Sequence, residues 1–314
     1  MIDTPIELAP PDIAPYRRGN TGIDYVTTLD SGRAGPHLLI NALVHGNEIS
    51  GAIAIDALFR MGLRPSHGRL TLVFANTAAY TAFDPAQPYA SRYLDEDFNR
   101  LWSSPLLDGS RQSVELRRAR ELRSIYDDAD AILDLHSMSS DTAPLILSGR
   151  TARAWHLARR LGYPAWVVAD AGHATGRRLI DYDGFAEPGG SRTALLVECG
   201  QHWRAETAAV AIESCLRFLL AFEVIDAATA EPYLRRRDEP ARLVEVTCAV
   251  TAGEQEFRFA APFVGLEILE KAGTPVAWDG DRLIVTPYDN CVLIMPARRP
   301  RPGQTAVRLG RLLD

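Results

Sequence analysis

From residue 36 onward the chain alternates short apolar runs with helix-periodic segments. That alternation restricts it to a mostly parallel sheet flanked by helices. "PHLLINALV" reads as a buried strand. In "EISGAIAIDALFRMG", Ile49, Ile53, Ala57 and Phe59 fall near one helical face, and Gly62 ends the helix. "RLTLVFAN" is the next strand, "SVELRRARELRSIYDDA" a charged helix, "DAILDLH" and "APLILSG" strands, "TARAWHLARRLG" a helix and "PAWVVA" a strand. After a Gly-rich segment from Ala171 to Gly190, expected to be mobile, "TALLVECG" reads as a buried strand and "AETAAVAIESCLRFLLAFEVI" as a long helix.

Two stretches depart from this rhythm. The segment from Thr77 to about Gly109 is irregular and rich in Pro, Asp, Tyr and Ser, and a loop that long in a compact domain is usually functional. Near residue 230 the pattern changes to short runs such as "RLVEVTCAV", "QEFRFA", "VGLEIL", "RLIVTP", "NCVLIMP" and "TAVRLG", separated by Gly, Pro and Asp. These predict a smaller all-β domain. The chain of 314 residues is therefore expected to hold an α/β domain over 1–228 and a β-rich domain over 229–314.

Composition narrows the functions. With 46% hydrophobic and 24% charged residues, and no run near the roughly 18 to 20 apolar residues of a membrane span, a soluble globular protein without a membrane role is expected. The net charge of −6 and the dispersal of basic residues argue against nucleic acid, because phosphate binding needs clustered Lys and Arg. "MIDTPIELAPPDIAPYRRGN" has no apolar signal core, which predicts a cytoplasmic location. Cys199, Cys215, Cys248 and Cys291 form no CxxC pair, which argues against a disulfide scaffold and a cysteine-built zinc knuckle.

The chemistry-bearing residues cluster by position. His45, His136 and Glu198 each sit at the carboxyl end of an apolar strand, the edge where ligands bind in open α/β sheets. His45, Glu48 and His136 have the chemistry of a catalytic zinc site, two imidazoles and a carboxylate with a fourth position open. Asp134 lies on the same strand face as His136 and could accept a hydrogen bond from a ligand imidazole. Hydrolysis also needs a base to shuttle the proton, and Glu198 is the applicant. Each feature alone has a structural alternative. A lone strand-end His is more often hydrogen-bonded than ligating, HxxE is a weak motif, and Asn47 with Glu48 could simply cap a helix. A Glu ending a buried strand is more unusual, since unpaired buried carboxylates are costly.

In the long loop, "SRYLDEDFNRLW" supplies Arg92, Asn99 and Arg100 as donors for carboxylate or oxyanion oxygens. The alternative is a loop paired to its own Asp95, Glu96 and Asp97. His202 could line the pocket or serve structurally. His37, His67, His156 and His173 carry no motif and read as structural or surface residues. No GxSxG elbow and no phosphate-cradling glycine motif is present, so serine-hydrolase and nucleotide readings fail.

"HGNE", "RYLDEDFNR", "DLHS" and "VECG", in this order over residues 45–200, resemble the zinc-dependent succinylglutamate desuccinylase and aspartoacylase family, relatives of the zinc carboxypeptidases. The resemblance implies a carboxypeptidase-like mixed sheet flanked by helices, with a smaller C-terminal β-rich domain narrowing the site. It implies one Zn2+ per chain on His45, Glu48 and His136, and Glu198 as general base and later proton donor. Arg92 would stabilise the oxyanion, Asn99 and Arg100 would grip a substrate carboxylate, and the chain would form a homodimer. Aspartoacylases carry a further arginine before the catalytic Glu. In "YDGFAEPGGSRTALLVE" Arg192 does not align with it, so N-acetylaspartate is not the expected substrate. Arg177, Arg178 and Arg192 are substitutes for it or, more commonly, solvated surface residues. In the tail, Tyr288 of "TPYDNCVLIMP" is either a second-domain substrate contact or a packed turn tyrosine. The expected activity is removal of an N-acyl group from a small amino acid or related amine. A carboxypeptidase for short peptides and a non-catalytic zinc-dependent binding protein are the alternatives.

Overall fold

The computed structural model describes residues 5–172, 175–235 and 240–313. In chain order, β1 (Val26–Asp30), β2 (His37–Ala42), α1 (Ile49–Arg60) and β3 (Arg69–Phe74) open the fold. The long irregular segment contains only short helices, among them α2 (Thr77–Thr81) and α3 (Ser104–Leu107). Then come α4 (Val114–Asp127), β4 (Ala131–Met138), β5 (Leu145–Leu147), α5 (Ala152–Leu161), β6 (Trp166–Ala169), β7 (Thr193–Gln201), α6 (Ala205–Ala221) and α7 (Ala227–Ala230). The β-rich part holds β8 (Arg242–Thr251), β9 (Phe257–Phe259), β10 (Ile268–Leu269), β11 (Pro275–Asp279), β12 (Arg282–Val285), β13 (Cys291–Ile294) and β14 (Thr305–Leu313).

Local chemistry sets several of these boundaries. Ser113 caps α4 by accepting from the Leu116 N–H, Thr151 caps α5 in the same way, and Gly162 ends α5 in the left-handed conformation.

Among the described residues the main sheet has eleven strands, in the order β1-β3-β2-β4-β7-β5-β6-β8-β14-β13-β10. Its centre is parallel, β3 with β2, β2 with β4 and β4 with β7. However, β1 runs antiparallel to β3 and β5 antiparallel to β7, so the sheet is mixed. The β-rich part joins the same sheet, because β8 lies parallel to β6 and β14, β13 and β10 continue from it. The strands β9, β11 and β12 form a separate three-stranded antiparallel sheet.

The central strands are buried at every position because helices and loops cover both faces, which is why they read as unbroken apolar runs. Side-chain alternation divides them. Leu38, Ile40, Leu133, Leu135, Leu195 and Val197 join the core beneath α1, α5 and α6. Leu39, Ile132, Ala194 and Leu196 join the core on the α4 side. The rows Ile132-Asp134-His136 and Ala194-Leu196-Glu198 belong to this second face, so their polar members emerge together at the carboxyl ends of β4 and β7.

Two glycines let other elements approach that edge. A Cβ on Gly51 of α1 would lie 2.9 Å from Ala42 Cβ and 3.1 Å from Leu135 Cβ, so glycine allows the helix to sit against β2 and β4. A Cβ on Gly46 would lie 2.3 Å from the Ala79 carbonyl carbon and 2.5 Å from Ser91 O. The glycine of "HGNE" is therefore required where the Arg92 loop crosses, and its N–H donates to Arg92 O at 3.1 Å.

The Gly-rich segment, expected to be mobile, is held where it is described. It forms the 3-10 turns Leu179–Asp181 and Asp183–Phe185, with Leu179, Ile180 and Phe185 buried. All four cysteines are free. Among the described residues no helix is long and apolar enough to cross a membrane.

Candidate active site

At the carboxyl edge of the sheet His136 on β4 lies in direct register with Glu198 on β7, so the two side chains share one face. His45 and Glu48 arrive from the turn between β2 and α1. Ligand-capable atoms of His45, Glu48 and His136 lie within 4.8 Å of one another, and all three residues are buried. The Nδ1 atoms of both imidazoles face the Glu48 carboxylate, His45 at 2.8 Å from Oε1 and His136 at 2.9 Å from Oε2. Their Nε2 atoms face other carboxylates at 3.0 Å, Asp97 for His45 and Asp134 for His136. Two imidazoles and a carboxylate, with each outer ring nitrogen on a further carboxylate, form a donor set that fits zinc and fixes the ring orientation.

The Asp134 support continues inward. Asn41 Nδ2 donates to Asp134 Oδ1 and Tyr126 OH donates to Asn41 Oδ1, both at 2.8 Å in the buried interior. Electrostatics reflect the convergence. Burial pushes the Glu48 carboxyl upward, but His45 and His136 overcome it and hold the group well below the ordinary range. Burial lowers the His136 imidazole, and Asp134 and Glu48 reverse this, holding it well above its ordinary value. Burial likewise opposes ionisation of Asp97, while His45, Arg92 and Arg100 hold it below the carboxylate range.

Glu198 experiences the opposite balance. It is 7% exposed, and its Oε2 is buried without a hydrogen-bond partner among the described residues. Burial, reinforced by Glu48 and Asp134 against His136 and Arg92, pushes its carboxyl up to about 8. An unpaired buried carboxyl is uncommon in a purely structural position, and shifts of this kind cluster at functional sites.

The long loop is anchored from beneath by Glu115, in the first turn of α4 and fully buried. Its Oε1 accepts from the Leu94 N–H at 2.7 Å, and its Oε2 from Asp95 at 3.0 Å and Glu96 at 3.3 Å. This places Arg92 over the centre, with Nη1 3.2 Å from Glu48 Oε1 and Nη2 3.0 Å from His45 Nε2 and 3.4 Å from Asp97 Oδ2. Asn99 and Arg100 line the same cavity of about 800 Å³, together with His45, Glu48, Arg92, His136 and Glu198. Asn99 also has a framework contact, since its Oδ1 accepts from the Leu179 N–H at 2.9 Å.

Tyr288 is placed elsewhere. Its hydroxyl lies 2.6 Å from Thr247 Oγ1 and Arg311 stacks 4.4 Å from its ring, so it packs within the β-rich part. The second-part side chains at the cavity include Thr251, Met295 and Arg308. Arg192 donates to the carbonyls of Ala129 and Tyr126, a framework role. Arg178 is 1% exposed rather than a surface residue, and His173 lies outside the described residues. His202 is buried with Nδ1 2.8 Å from Ser137 Oγ, and burial lowers its imidazole to about 4. Nothing in the sequence marks Asp97 as an imidazole partner or Glu115 as the loop anchor. The spacing of acids in "DED" gave no sign of which one turns inward.

The chain is similar to several known proteins. A model of the succinylglutamate desuccinylase/aspartoacylase catalytic domain matches residues 34–205. A probable aspartoacylase of Parasynechococcus marenigrum (strain WH8102) is 32% identical over 145 residues, 43% of this chain and 46% of the relative. That match thus spans less than half of the relative's length. The succinylglutamate desuccinylase of Vibrio cholerae has a similar structure, with a TM-score of 0.69, 15% identity and coverage of 93% of this chain and 86% of that one. A succinylglutamate desuccinylase/aspartoacylase of Rhodobacter sphaeroides has a TM-score of 0.66 at 21% identity, covering 92% and 89%. At these identities the structural likeness is one of fold. The catalytic-domain match runs over more than half of the chain, from just before β2 past Glu198 to the start of α6, and by it the chain belongs to the succinylglutamate desuccinylase/aspartoacylase family.

Proposed function

We propose that this protein is a zinc-dependent hydrolase that removes an N-acyl group, such as acetyl or succinyl, from a small amino acid or related amine. The observation that carries this reading is Glu198, a buried carboxyl with a raised pKa, in register with His136 beside the three-ligand cluster.

In this reading His45, Glu48 and His136 hold one zinc ion, and Asp97 and Asp134 fix the two imidazoles. Zinc there supplies the Lewis acidity that makes water nucleophilic at neutral pH and polarises an amide carbonyl. Glu198 takes the proton of the attacking water and returns it to the departing amine nitrogen. The Arg92 guanidinium stabilises negative charge developing on the amide oxygen. Asn99 and Arg100 orient a substrate carboxylate, a contact for which the planar guanidinium is suited. Residues 1–228 supply the chemistry, and 229–314 close one side of the cavity.

The test compares N-acetyl, N-succinyl and N-formyl amino acids with blocked dipeptides, using zinc-loaded, chelator-stripped and zinc-restored protein and measuring free amine. Release from an acyl amino acid that stops on stripping and returns with zinc is expected. Faster cleavage of dipeptides would replace this reading with a carboxypeptidase, and turnover that survives complete stripping would refute the role of zinc.

A further inference from the structure

A second cavity, of about 570 Å³, lies against the one that holds the candidate active site. The two share Ser140, Pro296 and Ala297 as lining residues. Ser140 follows β4, the strand that carries His136, and Pro296 and Ala297 follow β13. The partition is thin. Gly265 lines the second cavity and Thr142 the first, and a Cβ on Gly265 would lie 2.5 Å from Thr142 Cγ2, so glycine is what lets the two walls touch there.

The two cavities differ in chemistry. Imidazoles, carboxylates and guanidiniums line the first, whereas Phe257, Phe259, Phe263 and Val264 form an apolar wall of the second. Phe257 and Phe259 are two residues apart on β9 and so share a face. Their rings meet edge to face with centroids 5.2 Å apart, and Phe263 continues the row 6.3 Å from Phe259. All three pack against the cluster that includes Val276, Leu293 and Val307. They are nevertheless only half-buried, and Val264 is 55% exposed. Aromatic rings fixed from behind and open in front are a preformed apolar surface, whose further burial removes apolar area from water. The volume falls within the range of about 300 to 1,000 Å³ usual for small-molecule sites.

We propose that this annex is an acyl subsite that takes an aromatic tail on the acyl group of the substrate. The inference rests on the hydrolase reading above. An N-acyl amino acid carries its carboxylate on the amine side of the amide. With Asn99 and Arg100 holding that carboxylate, the acyl group is the end left to extend, and the annex shares a wall with the cavity in which it would be cleaved.

The experiment assays zinc-loaded protein with N-acetylalanine and with two isomers that add one phenyl ring to it, N-phenylacetylalanine on the acyl side and N-acetylphenylalanine on the amine side. The kcat/KM for N-phenylacetylalanine is expected to exceed that for N-acetylalanine on the order of 10- to 100-fold, mainly through KM, with a smaller gain for N-acetylphenylalanine. In Phe259→Ala the ratio of phenylacetyl to acetyl substrate should fall by about 5-fold or more. No acyl preference in the wild type, an unchanged ratio in Phe259→Ala, or an equal or larger gain for the amine-side isomer overturns the proposal. Should Phe259→Ala not fold, as judged by melting and zinc content, Val264→Asp decides alone, because it puts a charge at an exposed position of the annex, and an unchanged ratio there overturns the proposal. A wild type that self-associates in sedimentation, loses this in Val264→Asp and shows no acyl preference gives the annex to a second copy of the chain instead. If the wild type cleaves none of these compounds, it is the hydrolase reading that has failed for them, and calorimetric titration tests the annex separately. Tighter binding of N-phenylacetylalanine than of N-acetylalanine, lost in Phe259→Ala, supports the proposal, while equal binding, or none, overturns it.

Discussion

Replacing Glu115 by glutamine should release the loop that carries Arg92 while leaving His45, Glu48 and His136 in place. The Glu115 carboxylate accepts from Asn76 Nδ2 at 3.2 Å and from the Leu94 N–H on one oxygen, and from the Asp95 and Glu96 N–H groups on the other. Glutamine substitutes an NH2 for one oxygen, so two of these contacts become donor against donor. Each hydrogen bond to a charged group contributes about 1.5 to 3 kcal/mol, so the pair is worth roughly 3 to 6 kcal/mol before relaxation. The loop can move away from the site, and a residual loss of about 3 kcal/mol corresponds to an opening equilibrium raised roughly 100-fold. Amide hydrogen exchange of a peptide spanning residues 92–97 reads this directly. Exchange faster by roughly two decades in Glu115→Gln, with α1 and β4 unaffected, is expected. Protection within about threefold of wild type would show that something other than Glu115 holds the loop.

Other consequences follow from the same contacts. Asp134→Asn, which disturbs both the His136 contact and the Asn41 link, should weaken zinc binding by about 10- to 100-fold in competition with a chelating dye. An unchanged affinity would remove Asp134 from the centre. In metal-stripped protein, Glu198 has a folded pKa of about 8 against an ordinary 4.5. The folded state therefore holds a proton that the unfolded state has lost throughout that window, and stability falls as pH rises across it. Glu198→Gln lacks this penalty, so its stability advantage over wild type in urea denaturation should grow from pH 5 to pH 8 by on the order of a few kcal/mol. A difference independent of pH would contradict the raised pKa.

Much of the site was legible because polar residues interrupt strands that are otherwise apolar at every position. His136 and Glu198 stood out in "DLH" and "VECG" for that reason, and the two-residue spacing correctly placed Asp134 beneath His136. The direction of a strand leaves no such mark. "APLILSG" reads alike whether parallel or antiparallel, so the reversal of β5 against β7 was invisible. β1 was missed because "VTTLD" is a half-buried edge strand with a weak apolar signal. Long-range charge partners were also hidden. Arg178 in "GRR" looks like solvated surface, yet Asp170 and Asp181 bury it.

Proton transfer by Glu198 beside a zinc ion held by His45, Glu48 and His136 is the step on which the proposed activity depends. The most direct measurement pairs metal content with turnover of the best N-acyl amino acid in wild type and Glu198→Gln. One zinc per chain in both proteins and a loss of kcat of at least about 100-fold in the variant are expected. Turnover retained in Glu198→Gln with its zinc in place would contradict this.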